Sequence, residues 1–169
     1  GDYIVRNISS VFKYNQNISV ECFPGARVLD MSAHMENVEN HKQASTAIVH
    51  VRTNDIRLRE SETLRIHFKW LCHKVKQLGR NIIASGPLPV VRRGCEDFSR
   101  LLSLNNWLAD WCASENLGFI DNWDSFWEGP EFFRKDGMHP SRRGSIRLVE
   151  NRELYLLPRE VSRIDSVAT

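Results

Sequence analysis

The stretch Thr46-Ala47-Ile48-Val49-His50-Val51 is rich in β-branched residues and nearly continuous in apolar ones. A strand of this kind has no polar face to offer water, so it belongs inside a sheet covered on both sides. It stops at Arg52-Thr53-Asn54-Asp55. The period then changes. Leu64, Phe68, Leu71, Val75 and Leu78 fall at steps of four and three, which predicts an amphipathic helix ending at Gly79. Asn81-Ile82-Ile83-Ala84-Ser85 predicts a second strand, closed by Gly86-Pro87-Leu88-Pro89. Phe98, Leu101, Leu102, Leu108 and Cys112 line a second helix that stops near Asn116-Leu117-Gly118, and Phe119-Ile120-Asp121 reads as a short last strand. Strands that alternate with helices build parallel β-α-β units. The fold class expected is therefore α/β, a three-layer α/β/α sandwich around a parallel, flavodoxin-like central sheet.

Either side of this region the pattern is weaker. Ile18-Ser19-Val20-Glu21-Cys22 alternates like a half-buried strand and is broken by Phe23-Pro24-Gly25-Ala26; residues 28–44 read as a helix plus a loop. Tyr3-Ile4-Val5 begins abruptly behind Gly1-Asp2, as though a first strand were truncated. Opening on Gly1 rather than Met, the chain reads as a fragment or processed form. A final helix is expected from Ser141 to Leu154, giving one domain over 1–154 and a C-terminal tail over 155–169 that Pro158 keeps from continuing the helix. A chain of 169 residues can bury a core of its own.

Charge and composition remove several classes. A net charge of +2 is too small for a nucleic-acid binder, which usually presents a clustered basic face. No apolar run approaches transmembrane length, and no signal peptide is present. Cys22, Cys72, Cys95 and Cys112 form no Cys-x-x-Cys pair, so spacing gives no zinc site, and free thiols in a reducing, cytoplasmic compartment are expected. Asn7-Ile8-Ser9 and Asn17-Ile18-Ser19 match the glycosylation sequon, which carries meaning only in a secreted protein. A nucleotide-binding doubly wound domain is disfavoured because no Gly-x-Gly-x-x-Gly follows any strand.

In open parallel sheets the site lies beyond the carboxyl ends of the strands. Gly25, Asn54 and the Lys135-Asp136-Gly137-Met138-His139-Pro140 stretch all follow expected strand ends, and position 3 joins them if Gly1-Asp2 closes a strand. Asp136 and His139 stand three residues apart, where one tight turn lets the carboxylate accept from one ring nitrogen and leaves the other facing a substrate. Gly137 supplies backbone freedom for the turn, and Pro140 starts a new segment with φ fixed. This is the orienter-and-base half of a hydrolytic triad. A solvated surface histidine gives the same tetrapeptide by chance. The convergence of four loops on one sheet edge favours the catalytic reading.

With these residues in hand the chain resembles the SGNH hydrolases, the GDSL-type esterase and lipase superfamily, from residue 1 to about 150. The first block of that family matches at Gly1-Asp2 and fails at Tyr3; the second supplies Gly25; the third falls on Arg52-Thr53-Asn54-Asp55 with its glycine replaced; the fifth is intact as Asp136-Gly137-Met138-His139. More narrowly, Cys22-Phe23-Pro24-Gly25-Ala26, Val51-x-Thr53-Asn54-Asp55-Ile56-Arg57, Ser85-Gly86-Pro87-Leu88-Pro89 and Arg134-Lys135-Asp136-Gly137-Met138-His139-Pro140 resemble esterase domains in first-open-reading-frame proteins of vertebrate LINE-type retrotransposons. The resemblance implies hydrolysis of a small, acetyl-like ester without metal or cofactor. A serine at position 3 would attack, His139 would take its proton and Asp136 would orient the ring. The oxyanion would be held by the backbone N–H groups of position 3 and Gly25 and by the Asn54 amide.

Two departures bear on activity. A phenol at Tyr3 would carry its oxygen well beyond the reach of a serine hydroxyl, past the expected oxyanion donors, and would itself fill the acyl pocket. Arg52 replaces a glycine that lets substrate approach the backbone. The expectation is a chain inactive or severely weakened as an esterase, with a non-catalytic structural or binding domain of a retrotransposon-derived protein as the alternative. A small ester or lipid is the partner expected of an active site; an RNA or lipid surface is suggested only by the doublets Arg92-Arg93, Arg134-Lys135 and Arg142-Arg143, for which solvated loops are the plainer account. His50 is expected to be a satisfied, half-buried histidine, Trp107 and Trp111 to pack on a helix flank, and the aromatic run from Trp123 to Phe133 to fill the core beneath an irregular loop.

Overall fold

The computed structural model describes residues 46–50, 61–77, 79–90, 95–127 and 129–156. Expectations for Tyr3, Ile18–Cys22, Gly25, 28–44, Arg52 and Asn54, the truncated first strand included, lie outside the described residues.

Within them a parallel sheet has the order β1-β2-β3, with β1 at Thr46–His50, β2 at Asn81–Ser85 and β3 at Gly118–Ile120. The register pairs Thr46 with Asn81 and His50 with Ser85, then Ile83 with Gly118 and Ser85 with Ile120. The last strand therefore begins and ends one residue earlier than its hydrophobicity predicts. All three strands end level, as an edge for a site requires.

Helix α1 (Ser61–Gln77) joins β1 to β2, and α2 (Cys95–Ser114) joins β2 to β3. Their inward faces are the periodic ones: Leu64, Phe68, Leu71 and Val75 on α1, and Leu101, Leu108 and Cys112 on α2, are all buried. Leu104 and Asn105 on α2 are buried too, and Cys72 on α1 joins residues of both helices in one buried cluster. Trp107 and Trp111 stack at 5.7 Å between centroids and meet the edge of Phe68, so both are packing residues, as their flank position predicts. Asn116, with φ of 53°, turns the chain out of α2, and the N–H of Leu117 donates to the Cys112 carbonyl at 2.8 Å. Asparagine is among the few side chains that tolerate this left-handed conformation.

The segment Gly86-Pro87-Leu88-Pro89-Val90, which closes β2 as expected, runs on as buried irregular backbone. Buried irregular backbone is costly because its N–H groups need partners. Two of these five residues are prolines, which have no N–H to satisfy. Beyond β3 a short helix α3 (Trp123–Phe126) and a 3₁₀ turn (Pro130–Phe132) interrupt the aromatic run. Trp123, Phe126 and Phe133 are buried there, whereas Trp127 is exposed. The last helix, α4, runs from Arg142 to Leu156. It starts one residue later than predicted because Ser141 caps it, and it extends two residues further, so Tyr155 lies in its last turn. Arg142 and Arg143 form the exposed first turn of α4 rather than a loop.

Candidate active site

The turn that carries Asp136 and His139 is closed by backbone. Phe133 and Pro140 form an antiparallel bridge, the N–H of Arg134 donates to the His139 carbonyl at 2.8 Å, and the N–H of Gly137 donates to the Arg134 carbonyl at 2.9 Å. Gly137 has φ of 68°, a conformation a β-carbon would strain, which is why glycine stands between Asp136 and His139.

Inside this frame Asp136 is held by its own turn. Its Oδ1 accepts the N–H of Met138 at 2.9 Å and that of His139 at 3.0 Å, and its Oδ2 lies 2.8 Å from His139 Nδ1. Desolvation acts upward on this carboxyl, but the backbone N–H groups of His139 and Met138 and the His139 ring outweigh it and bring Asp136 down to about 2. A carboxylate can only accept, so Nδ1 is a protonated nitrogen of His139, and in the neutral ring Nε2 carries the lone pair. The pair is partly open to solvent, with side chains 36% exposed for His139 and 41% for Asp136. That access suits a base that must meet a substrate.

Two features seat the turn on the sandwich. Beneath it Leu88, Phe126, Phe133 and Leu148 form a buried cluster with Phe132 against it, and the ring of Phe126 meets Phe133 edge-on at 5.7 Å. Behind it Ser141 links turn to helix. Its N–H donates to the Phe132 carbonyl at 2.8 Å, its hydroxyl donates to the Glu131 carbonyl at 2.7 Å, and its Oγ accepts the N–H of Gly144 at 3.2 Å. A β-carbon on Gly144 would run into the Phe132 carbonyl, so glycine lets α4 approach the loop this closely.

The structure thus brings together the two candidate residues that sequence spacing pairs, Asp136 and His139. Tyr3, Gly25 and Asn54 lie outside the described residues, so their distances from His139 are not part of this geometry. Sequence reasoning missed Ser141 and Gly144 as supports; Ser141 three residues before Gly144, ahead of a helical run, was the available capping signal. Among the described residues no group of three His, Cys, Asp or Glu side chains could hold a metal ion.

A family model for GDSL-like lipases and acylhydrolases matches residues 2–145, most of the chain, with the Asp136–His139 turn inside the match. The chain belongs to the GDSL-like lipase/acylhydrolase family. Among solved structures, this family member is 43% identical to the esterase domain of the ZfL2-1 ORF1 protein from the zebrafish ZfL2-1 retrotransposon, over 89% of this chain and 94% of that one, with a TM-score of 0.56. It is similar in fold to a lipase/acylhydrolase from Enterococcus faecalis (18% identity, 90% of this chain and 82% of that one, TM-score 0.64). The same holds for a catalytic mutant of Axe2, an acetylxylan esterase from Geobacillus stearothermophilus (17% identity, 78% of this chain and 68% of that one, TM-score 0.64). No curated protein matches the chain significantly. The GDSL-like assignment makes esters the substrate class of the fold and agrees with the parallel α/β architecture. Among the described residues no helix is long and apolar enough to cross a membrane.

Proposed function

We propose that the chain is an esterase domain built to hydrolyse small acyl esters, in which Asp136 and His139 are orienter and general base and position 3 is the nucleophile position. The observation that carries this reading is the 2.8 Å contact between Asp136 Oδ2 and His139 Nδ1, which turns Nε2 outward as a proton acceptor. With serine at position 3, the hydroxyl oxygen bonds to the ester carbonyl carbon while its proton passes to Nε2. The resulting oxyanion is held by the N–H groups of position 3 and Gly25 and by the Asn54 amide. The tetrahedral species collapses, the alkoxide leaves with the proton from Nε2, and water releases the acyl group by the same sequence. Residues 1–154 make up the domain in this reading, with 155–169 as a tail.

Tyr3 replaces that serine, so the chain as it stands is inactive or severely weakened. Loss of a triad nucleophile costs on the order of a million-fold in turnover, with roughly a thousand-fold over water surviving from the rest of the site. The same residue favours one rival, a non-catalytic domain of a retrotransposon-derived protein. The 43% identity to the zebrafish retrotransposon domain supports that setting for either reading.

Labelling with a fluorophosphonate separates the two. The expected outcome is a covalent adduct at position 3 in Tyr3→Ser, none in the unaltered chain, and none in Tyr3→Ser with His139→Ala. Absence of an adduct in folded Tyr3→Ser would favour the non-catalytic domain.

A further inference from the structure

At the carboxyl ends of the strands a hydrogen-bond chain runs through residues that no part of the triad uses. His50 Nδ1 lies 3.0 Å from Ser85 Oγ. Asn122 Nδ2 donates to Ser85 Oγ at 2.8 Å and to the Gly86 carbonyl at 2.8 Å. Asn151, on α4, donates from Nδ2 to Asn122 Oδ1 at 3.1 Å and to Ser125 Oγ at 2.6 Å. Ser125 Oγ donates in turn to the Asn122 carbonyl at 3.2 Å. Asn122 is wholly buried and Ser85 nearly so.

The direction of this chain is fixed by groups that cannot reverse. The Gly86 carbonyl only accepts, so the nitrogen of the Asn122 amide must face it. The other end of that amide is then Oδ1, and Asn151 must present Nδ2 to it. The Asn122 carbonyl likewise only accepts, so Ser125 is the donor there and takes the second Asn151 proton on its oxygen. Ser85 Oγ, having accepted from Asn122, keeps one proton to give. Among the described contacts the acceptor for it is His50 Nδ1, and a buried hydroxyl proton left without an acceptor is costly. The polarity therefore runs from Asn151 to His50 and ends on Nδ1, whose lone pair accepts the Ser85 proton.

We propose that His50 is a positioning residue: the chain from Asn151 through Asn122 and Ser85 fixes its ring as the neutral Nε2–H tautomer and locks the end of β1 to the helix that follows the Asp136–His139 turn. His50 closes β1 four residues before Asn54, and Asn151 sits on the helix that begins just after His139. The network thus joins the element leading to the oxyanion amide with the one that follows the base. Its positioning role rests on the esterase reading, but the tautomer does not.

The test combines nuclear magnetic resonance with kinetics. Long-range proton–nitrogen correlation, with the His50 signals identified by their loss in His50→Asn, reports the tautomer directly. Nε2–H is expected in the unaltered chain and a mixture in Ser85→Ala. An Nδ1–H or doubly protonated ring at neutral pH, or a tautomer indifferent to Ser85→Ala, overturns the proposal. In the Tyr3→Ser background, His50→Asn puts an amide oxygen where Nδ1 was and should keep turnover. His50→Leu should lower kcat roughly tenfold at nearly unchanged KM, as small misplacements in active sites do. Equal kcat in the two variants overturns the positioning role. A Tyr3→Ser chain with no turnover but the expected tautomer removes the esterase reading, and positioning with it; a wrong tautomer with intact turnover removes this proposal alone.

Discussion

Both oxygens of Asp136 are engaged by the turn that carries it, and this decides how the residue responds to acid. Native Asp136 titrates near 2, below the ordinary 3.8. A carboxyl whose native value is depressed stabilises the fold fully above its unfolded value and loses that contribution as pH falls through the native one. The turn should therefore hold its geometry down to about pH 4 and loosen between about 4 and 2. Asp136→Asn tests the pairing. An amide that keeps Oδ1 on the two backbone N–H groups turns its NH₂ toward Nδ1 and selects the opposite tautomer. Turnover in Tyr3→Ser should drop on the order of ten-thousand-fold with folding retained. A loss of only a few-fold would mean that the ring does not depend on Asp136 for its proton placement.

Helix α4 and the loop before it act as one element because nothing larger than hydrogen fits at Gly144. Gly144→Ala sets a β-carbon against the Phe132 carbonyl, so the first turn of α4 and the 133–140 loop must separate. The expected result in Tyr3→Ser is a large loss of activity with lowered stability, read by kinetics and urea denaturation together. Phe126 is fully buried beneath the same loop, and Phe126→Ala should cost about 3–5 kcal/mol in urea unfolding. The elements themselves were largely legible: four-and-three spacing marked α1, and short apolar runs containing β-branched residues marked β1 and β2. The buried path of 86–90 was not, since Gly-Pro-Leu-Pro reads locally as a turn and only tertiary packing draws it inward. The hydrogen-bond chain from His50 to Asn151 was equally hidden. Single serines and asparagines far apart in sequence have no period to announce them. Asp136 and His139 were legible because their partnership is local, within one turn.

Across the whole molecule, α1 and α2 meet over the sheet with two free thiols between them. Cys72 is pushed up to about 12 by burial, with Cys112 adding and Lys76 opposing, and burial alone takes Cys112 to about 11. Neither supplies thiolate near neutral pH, so both should be inert in the native state. In a Cys22→Ser, Cys95→Ser chain, reaction with a disulfide reagent should run at the rate of unfolding and speed up sharply in urea. Fast native-state modification would show that the helices open locally. The turn seats Asp136 and His139 on a parallel α/β sandwich of the GDSL-like family, and in the proposed reading the pair is the base half of an ester-hydrolysing site. The most direct test of that claim is p-nitrophenyl acetate hydrolysis, after circular dichroism has confirmed folding, by three proteins: the unaltered chain, Tyr3→Ser, and Tyr3→Ser with His139→Ala. The account predicts turnover in Tyr3→Ser alone, whereas His139-dependent turnover by the unaltered chain, or inert folded proteins throughout, would contradict it.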